Sequence, residues 1–65
     1  MTHSEQHKLI LALRDYEHKM KRIDLEEFEM FKKRHADDED LDQDSRNRLV
    51  RLYKTYVPSN MRDLL

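Results

Sequence analysis

The stretch LILALRDYEHKMKRIDLEEFEMF (residues 9–31) decides how this chain folds. Leu9, Leu13, Tyr16, Met20 and Ile23 recur at steps of 4, 3, 4 and 3. That spacing aligns apolar side chains along one face of a helix. At Ile23 and Asp24 the phase breaks. Asp24 is placed to cap a second helix, with Glu27 three residues on. Ile23 and Phe28 hold the positions of a hydrophobic staple. Leu25, Phe28 and Phe31 then share a face, with His35 just beyond. Glu26 and Glu27 open this helix and Lys32, Lys33 and Arg34 close it, the order the helix dipole favours. No proline or glycine forces the break, so one continuous helix through Asp24 is the alternative.

Toward the N-terminus, Thr2 and Glu5 have the spacing of a capping box, so the first helix begins near Thr2 or Ser4. Asp15 with Lys19 and Glu17 with Lys21 are i,i+4 ion pairs on its outside. The turn Leu9–Leu13 is apolar nearly all round. Leu11 points away from the seam and Ile10 lies at its flank. Two readings apply: an exposed leucine, which is ordinary on protein surfaces, or a contact with a second subunit or a partner.

Toward the C-terminus, residues 37–44 read as a connection carrying six acidic side chains. Asp42 or Asp44 caps a third helix. Leu49, Leu52, Tyr53 and Tyr56 form its apolar face, opposite Arg48, Arg51 and Lys54. Val57 precedes Pro58, where the helix must stop. After it, Ser59 either caps one more turn that lays Met61 and Leu64 on the body, or the tail frays.

These signals predict an all-α fold with helices near 4–23, 25–35 and 43–57. It is a small three-helix bundle, or a helical hairpin built on a long first helix. Residues 1–65 form a single domain, with 58–65 as a tail. The first helix, about 30 Å long at 1.5 Å per residue, is the expected spine. The expected core is Leu9, Leu13, Tyr16, Met20, Ile23, Leu25, Phe28, Phe31, Leu49, Leu52, Tyr53 and Tyr56.

A chain of 65 residues buries only a marginal core. It has no cysteine, hence no disulfide or thiolate metal site. Well-packed helices, self-association or a partner are the remaining supports, and a homodimer covering the Leu9–Leu13 turn is one of them. No apolar run reaches membrane-spanning length, and the polar start MTHSEQHK has no secretory hydrophobic region. The expectation is a cytoplasmic protein. Charged residues are 42% of the chain and apolar residues 37%. Net charge runs +2 over residues 1–23, −7 over 24–44 and +4 over 45–65, an acidic waist between basic ends.

Specific chemistry is hard to place on this chain. An EF-hand loop starting at Asp38 puts Gln43 where glycine is needed and Leu49 where the bidentate glutamate belongs. Starting at Asp40 puts Ser45 and Arg51 there. His3 and His7 have the i,i+4 spacing of metal ligands, but no third ligand is evident from sequence. Neither a cysteine nucleophile nor a glycine-built phosphate loop is present. No catalytic residue, cofactor or metal is therefore expected. The turn before the third helix is long and acidic, against a short-turned DNA-reading motif. Nucleic-acid regulation through Arg48, Arg51 and Lys54 stays open as the alternative function.

The closing stretch LYKTYVPSNMRDLL (residues 52–65) resembles the C-terminal end of Hha-type modulators over roughly a dozen residues. Those are small helical proteins acting through nucleoid-associated partners, and the resemblance implies a regulatory adaptor. The remainder of the chain does not follow their pattern. The function expected is a non-catalytic protein–protein interaction module. Ile10 and Leu11 supply an apolar contact strip. Asp37, Asp38, Glu39 and Asp40 supply charge that steers a basic partner.

Overall fold

A computed structural model describes residues 2–62. Three α-helices account for most of them: α1 (His3–Arg14), α2 (Arg22–Ala36) and α3 (Gln43–Tyr56). One-turn 3₁₀ segments follow α1 at Glu17–Lys19 and α3 at Ser59–Met61. The chain is all-helical, and its helices pack as a small three-helix bundle. Among the described residues no helix is long and apolar enough to cross a membrane.

The first helix is shorter than its periodicity suggests. It is capped as expected, with the Glu5 N–H donating to the Thr2 hydroxyl at 3.1 Å. It then ends at Arg14, not near Ile23. A helix of twenty residues spans about 30 Å, longer than the 28 Å maximum extent of the whole fold. Folding back at Asp15 lets α2 and α3 both pack against α1. Tyr16 leaves helical geometry at φ −115°, ψ 7°. Tyr16 and Met20 nevertheless pack against the core, half-buried, from the turn and not from a helix.

Moving the break moves the start of α2. Its N-cap is Lys21 and not Asp24. Tyr56 explains what Asp24 does instead: its hydroxyl donates to the Asp24 carboxylate and accepts the Lys21 N–H at 3.1 Å. The end of α3 is thereby tied to the start of α2. That bond to Asp24 also raises the phenol's pKa, because ionising it would set two negative charges together. Ile23, expected in the core and in a staple with Phe28, is 79% exposed. At about 100° per residue, Ile23 shares a face with Met30 and lies opposite Phe28. Leu25 is half-buried.

The core is Leu9, Ile10, Leu13, Phe28, Phe31, Leu41, Leu49, Leu52, Tyr53 and Val57. Seven of the twelve expected residues sit there, while Tyr16, Met20 and Tyr56 flank it. Ile10, Leu41 and Val57 were not expected inside. Ile10 is buried because α1 contacts both α2 and α3, which takes a wider apolar stripe than a two-position seam. Met61 is 61% exposed, so the last described turn does not lay it on the body. Leu64 lies outside the described residues.

Two side-chain ties hold the Asp15–Lys21 turn and the bundle's outside. Lys32 pairs with Glu17 across the turn and with Glu29 at 3.0 Å on its own helix. Glu17 accounts for most of the upward shift in the Lys32 pKa. Tyr53 is different: it is fully buried, and among the described residues its hydroxyl has no partner. A buried, unpaired hydroxyl costs about 1–3 kcal/mol. Tyr53→Phe is therefore expected to raise stability by about 1 kcal/mol, seen as a higher urea midpoint at unchanged slope. A lower midpoint would show that the hydroxyl has a partner in solution.

Candidate functional site

Two neighbouring features carry the polar chemistry of the molecule. One is a buried hydrogen-bond clip at the N-terminal half of α1. The other is a groove beside it, between α1 and α2.

Gln6 is at the centre of the clip. It lies one turn before Leu9 and Ile10 on the same face of α1, so the helix carries it inward, where it is 0% exposed. Its amide nitrogen donates to His35 Nδ1 at 3.0 Å and to the Glu39 carbonyl at 3.3 Å. Its amide oxygen accepts the Leu41 N–H at 3.1 Å. All three partners belong to the end of α2 and the connection that follows. One glutamine thus replaces the regular structure that residues 37–42 lack. Leu41, the lone apolar residue of the acidic run, is 2% exposed and anchors the same segment in the core.

His35 is shared between clip and surface. Its ring lies beside those of His3, at 4.7 Å centroid separation, and His7, at 5.0 Å. Its Nε2 lies 2.8 Å from His7 Nδ1. His3 Nδ1 donates to the Asp40 carboxylate at 2.8 Å, and Asp38 lies 3.6 Å from His3 Nε2. Burial holds the His35 pKa below its ordinary value, and the neighbouring His3 and His7 add to that. Asp38 and Asp40 oppose the shift without cancelling it. The His3–His7 spacing seen in sequence therefore does acquire a third histidine. Even so, among the described residues no three histidine or carboxylate groups converge in a geometry that holds a metal ion.

The acidic run is built into the fold. Asp37 is the C-cap of α2 and Asp42 the N-cap of α3. Asp38 takes a left-handed backbone, φ 64°, which aspartate tolerates better than most residues. Glu39 pairs with Arg34 at 3.4 Å. The Asp42 carboxyl is held below its usual range, chiefly by the Ser45 hydroxyl and further by Arg34. The Asp38 and Asp40 side chains keep 95% and 63% exposure, so most of their charge still faces water.

The groove holds about 430 Å³. Leu11 lines it at 44% exposure. Arg14 marks one end and His7 and His35 the other, with Lys33 on the α2 side. Among the described residues neither Arg14 nor Lys33 is ion-paired. Ile10, expected beside Leu11 as contact surface, also borders the groove but is 4% exposed, its side chain spent on the core. The apolar strip reduces to Leu11.

Arg48 and Arg51 border a separate depression together with Asp24 and Glu27. Arg48 pairs with Glu27 at 3.5 Å. Lys54 stands apart from it on the exposed side of α3. Carboxylates among the cations make this a surface of mixed sign, which favours phosphate less than the α3 sequence alone suggests.

Gln6 is the residue that sequence reading missed. The positions Gln6, Leu9, Ile10 and Leu13 follow steps of 3, 1 and 3, the signature of one wide helix face. Comparison with protein-family models, with curated proteins and with solved structures found no match.

Proposed function

We propose that this chain is a non-catalytic interaction module that receives an amphipathic segment of another protein in the groove between α1 and α2. The observation that supports this is a half-exposed Leu11 set beside Arg14 and Lys33, two cations without an ion-pair partner among the described residues. An apolar anchor with a charged rim, here Arg14, Lys33 and the Lys32–Glu29 pair, is the pattern of a contact patch. The occupant that fits is helical, offers an apolar side chain to Leu11 and carries carboxylates for Arg14 and Lys33. Past the His7–His35 end stand Asp38 and Asp40, which reject carboxylates and accept a basic residue. The segment is thus acidic at one end and basic at the other, which fixes its direction. In this reading the acidic run orients the partner and speeds its arrival, while Leu11 contributes the affinity.

A photocrosslinking residue at Leu11 tests this, with the same residue at exposed Ile23 as the control. The expected result is one discrete adduct from position 11 only, bearing such a segment. Adducts of the chain with itself would make a second copy the occupant, and sedimentation equilibrium would then show a dimer. Equal or absent capture at both positions would remove the groove. Leu11→Glu is expected to abolish capture while changing stability by no more than about 0.5 kcal/mol, the usual range for surface substitutions.

A further inference from the structure

We infer that Gln6 and His35 form a proton-operated latch, which clasps residues 37–42 to α1 while His35 is neutral and lets them go when it is protonated. The inference stands apart from the docking reading, because it rests on the hydrogen-bond directions inside the clip.

Those directions are fixed by backbone groups. The Leu41 N–H can only donate, so the Gln6 atom facing it is the oxygen. The Glu39 carbonyl can only accept, so the atom facing it is the amide nitrogen. Two independent backbone partners therefore set the orientation of the Gln6 amide. Its nitrogen also faces His35 Nδ1, which must then be an unprotonated acceptor. The proton of neutral His35 sits on Nε2 and is donated to His7 Nδ1. His7 in turn carries its own proton on Nε2. The chain of donors runs from a buried amide through His35 to His7 and outward.

A proton arriving at His35 has one place to go, Nδ1. There it meets the Gln6 NH₂, donor against donor. Turning the Gln6 amide over relieves that clash but sets its NH₂ against the Leu41 N–H and its oxygen against the Glu39 carbonyl. Either way the clip loses bonds at a position that is 0% exposed. The segment that Gln6 holds is then attached through the burial of Leu41, the ends of α2 and α3, and the exposed pairs of Asp40 with His3 and of Glu39 and Asp42 with Arg34.

On α1, His3 stacks on His35 and can hold a proton without losing a bond, since its Nδ1 already donates to Asp40. His7 cannot take one at Nδ1 without losing the bond from His35. From the connection, Asp38 and Asp40 favour positive charge on the stack, while the Glu39 carboxylate is turned to Arg34. On α2, Lys33 borders the same groove, and the Lys32 ammonium is taken up by Glu17 and Glu29. Asp38 and Asp40 favour the charged form of His35 without overcoming its burial, and the donor conflict at Nδ1 remains.

The direction in pH follows. The folded chain accepts the His35 proton less readily than the unfolded chain, whose value is 6.5. The stabilisation is therefore complete above about pH 6.5 and is lost as the pH falls below it, because the unfolded state then binds more protons.

The test is an NMR titration of the intact chain between about pH 7.5 and 5.5, following the His35 ring and amide exchange corrected for intrinsic rate. The expected result is a loss of Leu41 protection that tracks the His35 titration while Tyr53 protection holds. Unchanged Leu41 protection through the His35 titration overturns the latch. A parallel fall at Tyr53 also overturns it, since that is global unfolding. Gln6→Glu supplies an acceptor to Nδ1–H and still accepts from Leu41, so its Leu41 protection should rise as the pH falls. Retention of the wild-type sign would refute the mechanism. His35→Phe keeps a ring beside His3 and His7 without a titrating nitrogen, and its Leu41 protection should not respond to pH. A fall there equal to wild type would also overturn the proposal.

Discussion

Phe28→Ala is expected to leave the chain largely unfolded at 25 °C. Phe28 is 0% exposed on the face of α2 that meets the other helices. Removing a buried phenylalanine ring costs about 3–5 kcal/mol, the lost transfer energy plus the cavity left behind. A single core in a chain this short supplies about 3–5 kcal/mol in total. The two figures are equal in size, so the folded state should not survive at high population. A second loss adds to the first. The Lys32 ammonium lies 5.3 Å from the Phe28 ring centroid and is also the group that pairs with Glu17. Without the ring, the tie between α2 and the Asp15–Lys21 turn loses its floor. Far-UV circular dichroism with urea titration measures this: the helical signal should be mostly gone before urea is added. Ile23→Ala, on the opposite face, is the control and should unfold as the wild type does. A Phe28→Ala protein with a cooperative transition and a loss below about 1 kcal/mol would mean that α2 does not pack through this face.

The contrast between Phe28 and Ile23 also shows what the sequence could and could not reveal. Helix type, helix number and the faces of α3 were legible, because Leu49, Leu52 and Tyr53 repeat over a helix with a cap before it and Pro58 after it. The break between α1 and α2 was legible as a break but misplaced. Tyr16, Met20 and Ile23 continue the α1 rhythm on paper, and no local residue forbids it. What ends α1 is tertiary: a longer helix would overrun the fold, and Tyr56 claims Lys21 and Asp24 from the far end of the chain. A pairing across 32 residues leaves no trace in a local pattern. The functional surface was half legible. Leu11 stands out because it falls off every apolar stripe. Ile10 does not, because burial against two helices at once depends on where the third one lies. The acidic run was readable as a cap and a turn, yet Leu41 within it was passed over. A lone leucine among carboxylates in a connecting segment is a sign of an anchor, since nothing else there can be buried at low cost. Gln6 is the harder case. A buried glutamine is rare enough that polarity argues against the face its spacing assigns it.

That conflict makes Gln6→Leu the most informative single substitution in the molecule. Leucine matches the shape approximately and suits the surrounding Leu9 and Ile10, so a purely apolar account of α1 predicts a gain. The hydrogen-bond account predicts a net loss of about 1–3 kcal/mol. The Leu41 N–H, belonging to a residue 2% exposed, would lose its partner in the interior, at about 1–3 kcal/mol. The Glu39 carbonyl and His35 Nδ1 would lose theirs as well, but both lie near the surface and regain water, so they add less. Extra apolar burial returns about 1 kcal/mol. The net remains a loss. Urea denaturation at pH 7.5, where His35 is neutral, gives the number directly. A double-mutant cycle with Leu41→Ala locates it. If Gln6 acts by holding the backbone of Leu41, the two losses are coupled and fall short of their sum, because a segment already detached cannot be detached twice. Additive losses would mean that the glutamine bonds and the leucine anchor hold different parts of the connection. A gain in stability from Gln6→Leu would show that the 37–42 segment is held without the glutamine bonds.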